Sequence, residues 1–430
     1  MTMAEKVYLH TLGCKVNSYE TFALGQELSA SGMEETHDFK DADVIVLNTC
    51  SVTGKADQKS RQHISRFRRE NPHCIVLVMG CYSQTHAEEC VNLGADVVLG
   101  AAKRKMAFPY IKKAQNGEKP IVDLVKDIRK EEYEELGTLA FCDNARVYLK
   151  IQDGCDNFCS YCFIPRLRGN SRSREPREIL SEARLMAEKG YKEIIVTGIH
   201  IGMYGKDLGD GSFRLADLLE SLLNKVPDVP RIRISSLEES EIDDKFLSLL
   251  RRYPRIVDHL HIPLQSGSSD VLKKMARHYD TDAFLDKLSR IREIRPDIAI
   301  TTDVIAGFPT ETDENWRETM DFCAKAKFAE IHVFPFSSRP GTAAVRLKDL
   351  DPKIKKARVA ELLALSSKMR EEYKQRFYGK DLEILFEDYD EKTHIAYGHS
   401  ENYLKVAINS DHPRHGEMEI VTYSNAIASD

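Results

Sequence analysis

Three cysteines, Cys155, Cys159 and Cys162, stand at the spacing C-x3-C-x2-C in the stretch DGCDNFCSYCFIP. They come straight after a strand-like run, Val147–Ile151. Three thiolates on one short loop can hold three irons of a cubic 4Fe–4S cluster, since such clusters are held by Cys thiolates. No fourth Cys follows at close spacing. One iron is then left without a protein ligand and open to a substrate atom. Zinc is the alternative chemistry, but a structural zinc site closes on four ligands, commonly paired as C-x2-C. A disulfide would leave one thiol of the three unpaired, and nothing else in the chain reads as secreted.

A second set of cysteines shares a different regularity. Cys14 in LGCKVN, Cys50 in NTCSVT and Cys81 in MGCYSQ each stand just past an apolar, strand-like run. A single Cys there reads as a small buried hydrophobe. Three at equivalent points of successive βα units lie where open α/β sheets bind ligands, outside the carboxyl ends of the strands. They read as a second three-Cys 4Fe–4S site, again with one open iron. Cys74, Cys90, Cys142 and Cys323 lack this placement and read as packing residues.

The elements that must carry these residues follow from periodicity. Val7–His10, Val44–Leu47, Ile75–Met79 and Val97–Leu99 are short, nearly continuous apolar runs, with helical patterns near 19–31, 56–70 and 85–92 between them. That alternation predicts a doubly wound parallel sheet covered on both faces. Residues 101–145 read as a connector with an exposed charged run, Lys130–Glu135. From 146 to 336 strand and helix alternate six times, with strands at 146–151, 193–197, 231–236, 258–264, 298–305 and 329–335. The helices between them fall near 176–188, 213–225, 241–252, 281–294 and 311–327. Six such units predict a partial (β/α)6 barrel with its functional residues at strand carboxyl ends. A long basic helix over 352–377 carries Lys353, Lys355, Lys356, Arg358, Lys368, Arg370, Lys374 and Arg376. The alternating runs of 381–430 predict a small antiparallel β-barrel, a type that commonly binds oligonucleotides.

Length and composition set the bounds. A chain of 430 residues suggests about three domains. The net charge of −6 does not announce nucleic-acid binding, although a local basic face could provide it. Candidates are that long helix and Arg61, Arg66, Arg68 and Arg69 of the 56–70 pattern, whose bland reading is a solvated helix face. Met1–Lys6 lacks the basic and apolar regions of a signal peptide, and no apolar run approaches a membrane span. The expectation is a cytoplasmic protein with no membrane partner, in which ten Cys point to metal or catalysis.

The loop around Cys155, Cys159 and Cys162, with Phe158 and Tyr161 among them, resembles the signature of the radical S-adenosylmethionine (SAM) enzymes. The three segments together resemble the radical SAM methylthiotransferases along essentially the whole chain. The resemblance implies a second-cluster domain over 1–140, a radical SAM barrel over 141–370, and a small RNA-binding β-barrel of the TRAM type over 371–430. It implies that Cys14, Cys50 and Cys81 hold one 4Fe–4S cluster and Cys155, Cys159 and Cys162 the other. Thr197 and Gly198, with Tyr204 and Gly205 close by, match the segment that binds the SAM amino group. Glu238 in RISSLE matches the carboxylate on the SAM ribose, and Gln265 and Val304–Gly307 line the same mouth. Arg166, Arg168, Arg172 and Arg174 follow the loop and could neutralise the SAM carboxylate or grip RNA phosphate. Thr310 departs from the family, which usually has Gly in GFPTET, and a small backbone change is expected there.

GCKVN and KIQDGCDNFCSYCFIP resemble the branch that acts on N6-threonylcarbamoyladenosine (t6A) in tRNA. The spelling GCQMN marks the isopentenyladenosine branch and GCPKN the branch acting on a ribosomal-protein aspartate. The implied reaction adds a methylthio group to C2 of t6A at tRNA position 37 in the anticodon stem-loop. It uses two SAM, two clusters and an external electron donor. One SAM supplies a methyl group to sulfur, and the other is cleaved to a radical that takes hydrogen from the substrate carbon. A zinc-stabilised RNA-binding protein without catalysis is the reading of another class.

Overall fold

The computed structural model describes residues 4–137 and 145–429. The chain divides into two compact units. One holds the described residues up to 137 with Lys150–Phe158 and Cys162–Glu178, and the other holds 145–149, Cys159–Tyr161 and 179–429. Cys142 and the residues around it lie outside the described part.

In the first unit six parallel strands form one sheet, in the order Glu34–Glu35, Lys6–Thr11, Val44–Thr49, Ile75–Gly80, Val97–Leu99, Ile121–Asp123. Val44–Thr49 and Ile75–Gly80 are buried at every position, which is why they read as unbroken apolar runs. Val44, Val46, Leu77 and Met79 meet Leu24, Leu28 and Ile111 on one face. Ile45, Leu47, Val76 and Val78 meet Ile64, Phe67 and Cys90 on the other. Helices Lys15–Ala30 and Ala107–Gln115 therefore cover one side, and Gly54–Glu70 and Ala87–Asn92 the other. Each fully buried Val, Leu or Ile contributes about 1.5–3 kcal/mol.

The connector expected over 101–145 is instead part of this unit. It supplies helix Ala107–Gln115 and the edge strand Ile121–Asp123. Its charged run is solvated only in part, with Lys130 and Glu132 exposed. Glu134 pairs with buried Arg104 at 2.7 Å, and Glu135 pairs with buried Arg174 at 2.5 Å. The arginines that call these carboxylates inward are distant in sequence, so the run looked like a free surface.

In the second unit, residues 146–149 of one strand lie beside Glu193–Thr197 and Arg231–Ile234, and His259–His261, Ala299–Ala306 and Glu330–Pro335 lie side by side. Parallel bridges Ile232–Ile256 and Ser236–His261 join the two sets into six strands in chain order, the partial (β/α)6 barrel. The helices between them form for local reasons. Asp243 accepts from the Phe246 amide at 2.7 Å and starts Asp244–Arg252, which buries Phe246, Leu247, Leu249 and Leu250. Thr312 and Asn315 bond each other reciprocally at 3.1 and 3.2 Å, so that helix begins at Asp313 and not at 311. The strand expected to run to 264 stops at His261, because Pro263 donates no hydrogen bond and Gln265 takes φ +66°.

Thr310 itself takes φ +73°, the left-handed region that favours glycine. The turn keeps its glycine-type conformation, and the threonine bears the strain. Thr310→Gly should stabilise this unit by about 1 kcal/mol, measured by urea unfolding followed at Trp316, and a loss of stability would contradict the strain.

Helix Pro352–Gln375, capped by Asp351 at the Lys353 amide (2.7 Å), packs along the last barrel strand, where Ser366 Oγ accepts from the Ile331 amide at 2.9 Å. Its basic residues do not form one solvent face. Arg358 is buried against Glu311 and Asp313, at 2.6 and 2.7 Å. Lys355 pairs with Asp349 at 2.8 Å and Arg376 with Asp297 at 2.6 Å, while Lys353 and Lys356 are exposed. The remaining strands, Asp381–Asp390, Ile395–Ser400, Lys405–Asn409 and Met418–Thr422, form an antiparallel sheet, bulged between Phe386 and Asp388. The bridge Val406–Ala428 curls it into a half-barrel. Its inner face, with Ile384, Phe386 and Val406, shares a core with Ala299, Ala329, Tyr373 and Phe377.

Candidate functional site

In the first unit, Cys14, Cys50 and Cys81 all stand at strand carboxyl ends. Cys14 caps the start of Lys15–Ala30, Cys50 follows Val44–Thr49, and Cys81 opens Cys81–Thr85. The sheet order reverses between the strands that precede Cys14 and Cys50, which is where doubly wound sheets bind ligands. Glycine makes the approach possible. A Cβ on Gly13 would lie 2.8 Å from Cys50 Cβ and 3.0 Å from its Sγ. Gly80, at φ +105°, leaves no room for a Cβ against the Thr49 carbonyl.

Burial pushes the Cys81 thiol up to about 12; the Arg168 guanidinium opposes this, and nearby Cys50 and Cys14 add to the rise. Burial also raises Cys50, with Cys14 adding to it. Cys50 and Cys81 are buried thiols that burial holds protonated, so ionising them calls for a cation, and exposed Cys14 stands beside them. That is the donor chemistry of a metal cluster.

A buried charged network backs this triad. Arg168 is fully buried; its Nε donates to Cys81 Sγ at 3.3 Å, and its Nη atoms donate to Asn17 Oδ1 and Glu20 Oε1, both at 2.5 Å. Asn17 in turn holds the carbonyls of Leu12 (2.8 Å) and Thr49 (3.1 Å), one before each of two cysteines. Glu20 also meets Arg104 at 2.9 Å and Lys150 at 2.8 Å, and Lys150 meets Asp153 at 2.8 Å. In this structure the Arg168 donors meet Glu20, Asn17, Asp153 and Cys81. Arg172 donates to the Ile128 carbonyl at 3.0 Å, and Arg174 to Glu135. Of the four arginines after the loop, only Arg166 is exposed.

Cys155, Cys159 and Cys162 fall in the irregular loop between Gln152–Asp153 and Ile164–Arg168. The loop's first flank is tied down within the first unit, where the Cys155 amide donates to the Gly169 carbonyl at 3.0 Å. Cys159 belongs to the second unit. There Arg277 Nη1 donates to its Sγ at 3.3 Å and pairs with Glu238 at 2.7 Å. Ser160 donates its amide to Met275 O at 3.0 Å and accepts from the Ala344 amide at 2.7 Å.

The other candidate residues lie along the strand carboxyl ends of the barrel. Buried Thr197 ends its strand and Gly198 follows. Glu238 caps the turn Glu239–Glu241. Gln265 bridges to buried Val304, taking the Ile305 amide on its carbonyl at 2.9 Å. Gly307, at φ +77°, donates to Glu311 Oε2 at 2.9 Å and lies under the Lys355 stem. Sequence reasoning missed Asn17, Glu20, Asp153 and Arg277. The only local signal was the spacing of Asn17 and Glu20, three and six residues after Cys14.

Cys74, Cys90 and Cys323 are buried, and burial raises each thiol's pKa, as packing residues would show. Among the described residues no helix is long and apolar enough to cross a membrane.

Comparison with known proteins adds to this geometry. Residues 149–323 match the radical SAM superfamily, and 6–100 match uncharacterized protein family UPF0004. The chain is 44% identical to the threonylcarbamoyladenosine tRNA methylthiotransferase MtaB of Bacillus subtilis, over 96% of this chain and 92% of that protein. It is 38% identical to the MtaB of Thermotoga maritima, over 93% and 90%. It is 35% identical to the tRNA-2-methylthio-N(6)-dimethylallyladenosine synthase of Bacillus subtilis, over 89% and 76%. Among solved structures, the radical SAM methyltransferase TsrM of Kitasatospora setae shares the fold at TM-score 0.58 and 14% identity, over 77% and 73% of the two chains. The chain belongs to the radical SAM methylthiotransferase family, in its MtaB-like branch.

Proposed function

We propose that this enzyme adds a methylthio group to C2 of t6A at position 37 of tRNA, beside the anticodon. The observation that carries the reading is the 44% identity to a named MtaB along 96% of the chain. The GCKVN spelling at Cys14 supports it. The family implies SAM and a 4Fe–4S cluster, and Cys155, Cys159 and Cys162 on one loop suit that cluster, with an N–H of Arg277 on the Cys159 sulfur. A second cluster on Cys14, Cys50 and Cys81 is supported by their closeness at neighbouring strand ends and by the Arg168 donor on Cys81. When bound, these groups supply the radical and sulfur chemistry.

The chain's own residues bind and orient. Thr197, Gly198, Glu238, Gln265, Val304 and Gly307 hold SAM along the strand ends, and Arg277 steadies Glu238 for the ribose hydroxyls. Arg168 is a positioning residue for Cys81. Residues 1–140, 141–370 and 371–430 serve the second cluster, SAM cleavage and RNA contact in turn. The protein works in the cytoplasm on the anticodon stem-loop and takes electrons from an external donor.

The test is nucleoside mass spectrometry of tRNA from cells lacking the gene. Methylthio-t6A should vanish and t6A accumulate. The dimethylallyladenosine synthase likeness motivates the second reading, and loss of only the methylthio-isopentenyl nucleoside would establish it instead.

RNA contact has a gentler test than removing 381–430, because that deletion would strip the partners of buried Arg231, take one from Arg233 and open a shared core. Lys353→Glu with Lys356→Glu changes only exposed residues. It should weaken tRNA binding and reduce the salt slope by about 2. Unchanged binding in a salt titration would place the RNA face elsewhere.

A further inference from the structure

Three neighbouring strands of the barrel bring two imidazoles and a carboxylate together. His261 ends His259–His261, Asp303 lies in Ala299–Ala306, and His332 lies in Glu330–Pro335. The parallel register sets His261 opposite Thr301 and Asp303 opposite His332. Residues two apart on a strand face the same way, so Thr301 and Asp303 present their side chains on one face. His261 Nε2 lies 3.2 Å from Asp303 Oδ2. One donor atom from each of the three residues lies within 4.8 Å of the others.

We propose that His261, Asp303 and His332 form a binding site for a divalent transition-metal cation of the zinc class, separate from both cysteine triads. Two donors each about 2.1 Å from a tetrahedral zinc sit about 3.4 Å apart, and the His261–Asp303 pair already has nearly that spacing. His332 is exposed, and its ring lies 5.6 Å from that of His261, so a side-chain rotation is enough to bring its nitrogen in.

The support behind His261 is that of a metal ligand. Its Nδ1 lies 2.9 Å from Thr301 Oγ1, and His259 Nε2 lies 3.0 Å from the same oxygen. One hydroxyl between two ring nitrogens accepts from one and donates to the other. With the proton on His261 Nδ1, the hydroxyl donates to His259 and His261 Nε2 is left as a lone pair aimed at the site. Thr301 and His259 are buried, which fixes this relay, while Asp303 is half-buried and His332 exposed. Thr301 and His332 also line a cavity of about 470 Å³ with Arg370, His399 and Tyr403, an entry path for the ion. Two imidazoles and one carboxylate leave a zinc-class ion a further position for an oxygen ligand. The bland alternative is a simple His261–Asp303 ion pair, which has no use for His332.

The experiment uses the full chain with its iron–sulfur sites reconstituted, equilibrated with Zn2+ and dialysed. Zinc per chain is read by mass spectrometry, and its ligands by X-ray absorption at the zinc edge. One zinc per chain with nitrogen and oxygen ligands at about 2.0–2.1 Å and imidazole scattering is expected. His332→Ala and Asp303→Asn should each weaken binding by at least about tenfold, and Thr301→Val by about 10–100-fold. Because His332 is exposed, its variant tests the site without endangering the fold. Failure to retain zinc, a sulfur shell near 2.3 Å, or equal affinity in His332→Ala would overturn the proposal.

Discussion

Replacing Cys50 with alanine should remove about four irons per chain and all methylthio product, yet leave the formation of 5′-deoxyadenosine from SAM. Replacing Cys159 should abolish 5′-deoxyadenosine as well. The difference follows from where the residues stand. Cys50 lies past the strand Val44–Thr49 of the first unit, packed against Gly13, and the candidate SAM residues lie on the second unit's barrel strands. Cys159 stands on the loop itself and takes a hydrogen bond from Arg277, which also holds Glu238. On the proposed function, its loss would remove a cluster ligand and free the Arg277 that holds Glu238. The measurement is anaerobic: iron, 5′-deoxyadenosine and methylthio product for both variants. Full iron and normal product in Cys50→Ala would reduce the amino-terminal cysteines to packing residues.

Glu20→Ala should cost the first unit about 3–5 kcal/mol, the scale for breaking a buried ion pair from one side. Glu20 is fully buried and stands among Arg104, Lys150 and Arg168, at 2.9, 2.8 and 2.5 Å. Burial alone would raise its pKa, but the three cations outweigh this and hold it at about 2, against an ordinary 4.5. That depression corresponds to about 3 kcal/mol. The sign follows. A lowered folded-state pKa gives stability that is present above the unfolded value of 4.5 and lost as pH falls toward about 2. Wild type and Glu20→Gln should therefore differ at neutral pH and converge in acid. Hydrogen exchange of the amides in Val44–Thr49 reports on this unit, since the chain's one tryptophan, Trp316, belongs to the other. Unchanged protection in Glu20→Ala at neutral pH would show that the network carries no stability.

The elements, and the strand-end placement of Cys14, Cys50 and Cys81, were determined by local rules. A βα unit places the residue after its strand at the sheet's carboxyl edge whatever the rest of the chain does, so Cys14, Cys50 and Cys81 could be assigned from the runs before them. The barrel helices likewise follow from caps such as Asp243 and Thr312 and from apolar stripes such as Phe246–Leu250.

Charge pairing was decided by the tertiary structure. Arg168 and Glu20 are 148 residues apart, and Arg358 and Glu311 are 47 apart. No local period encodes such pairs, because a guanidinium is bound by whichever carboxylate the fold brings within reach. The same reason gives Arg172, Arg174 and Lys355 the partners Ile128, Glu135 and Asp349, which no local pattern announced. It also explains why His261, Asp303 and His332 carried no signal in the sequence. Each is an ordinary strand residue there, and only the parallel register brings them together.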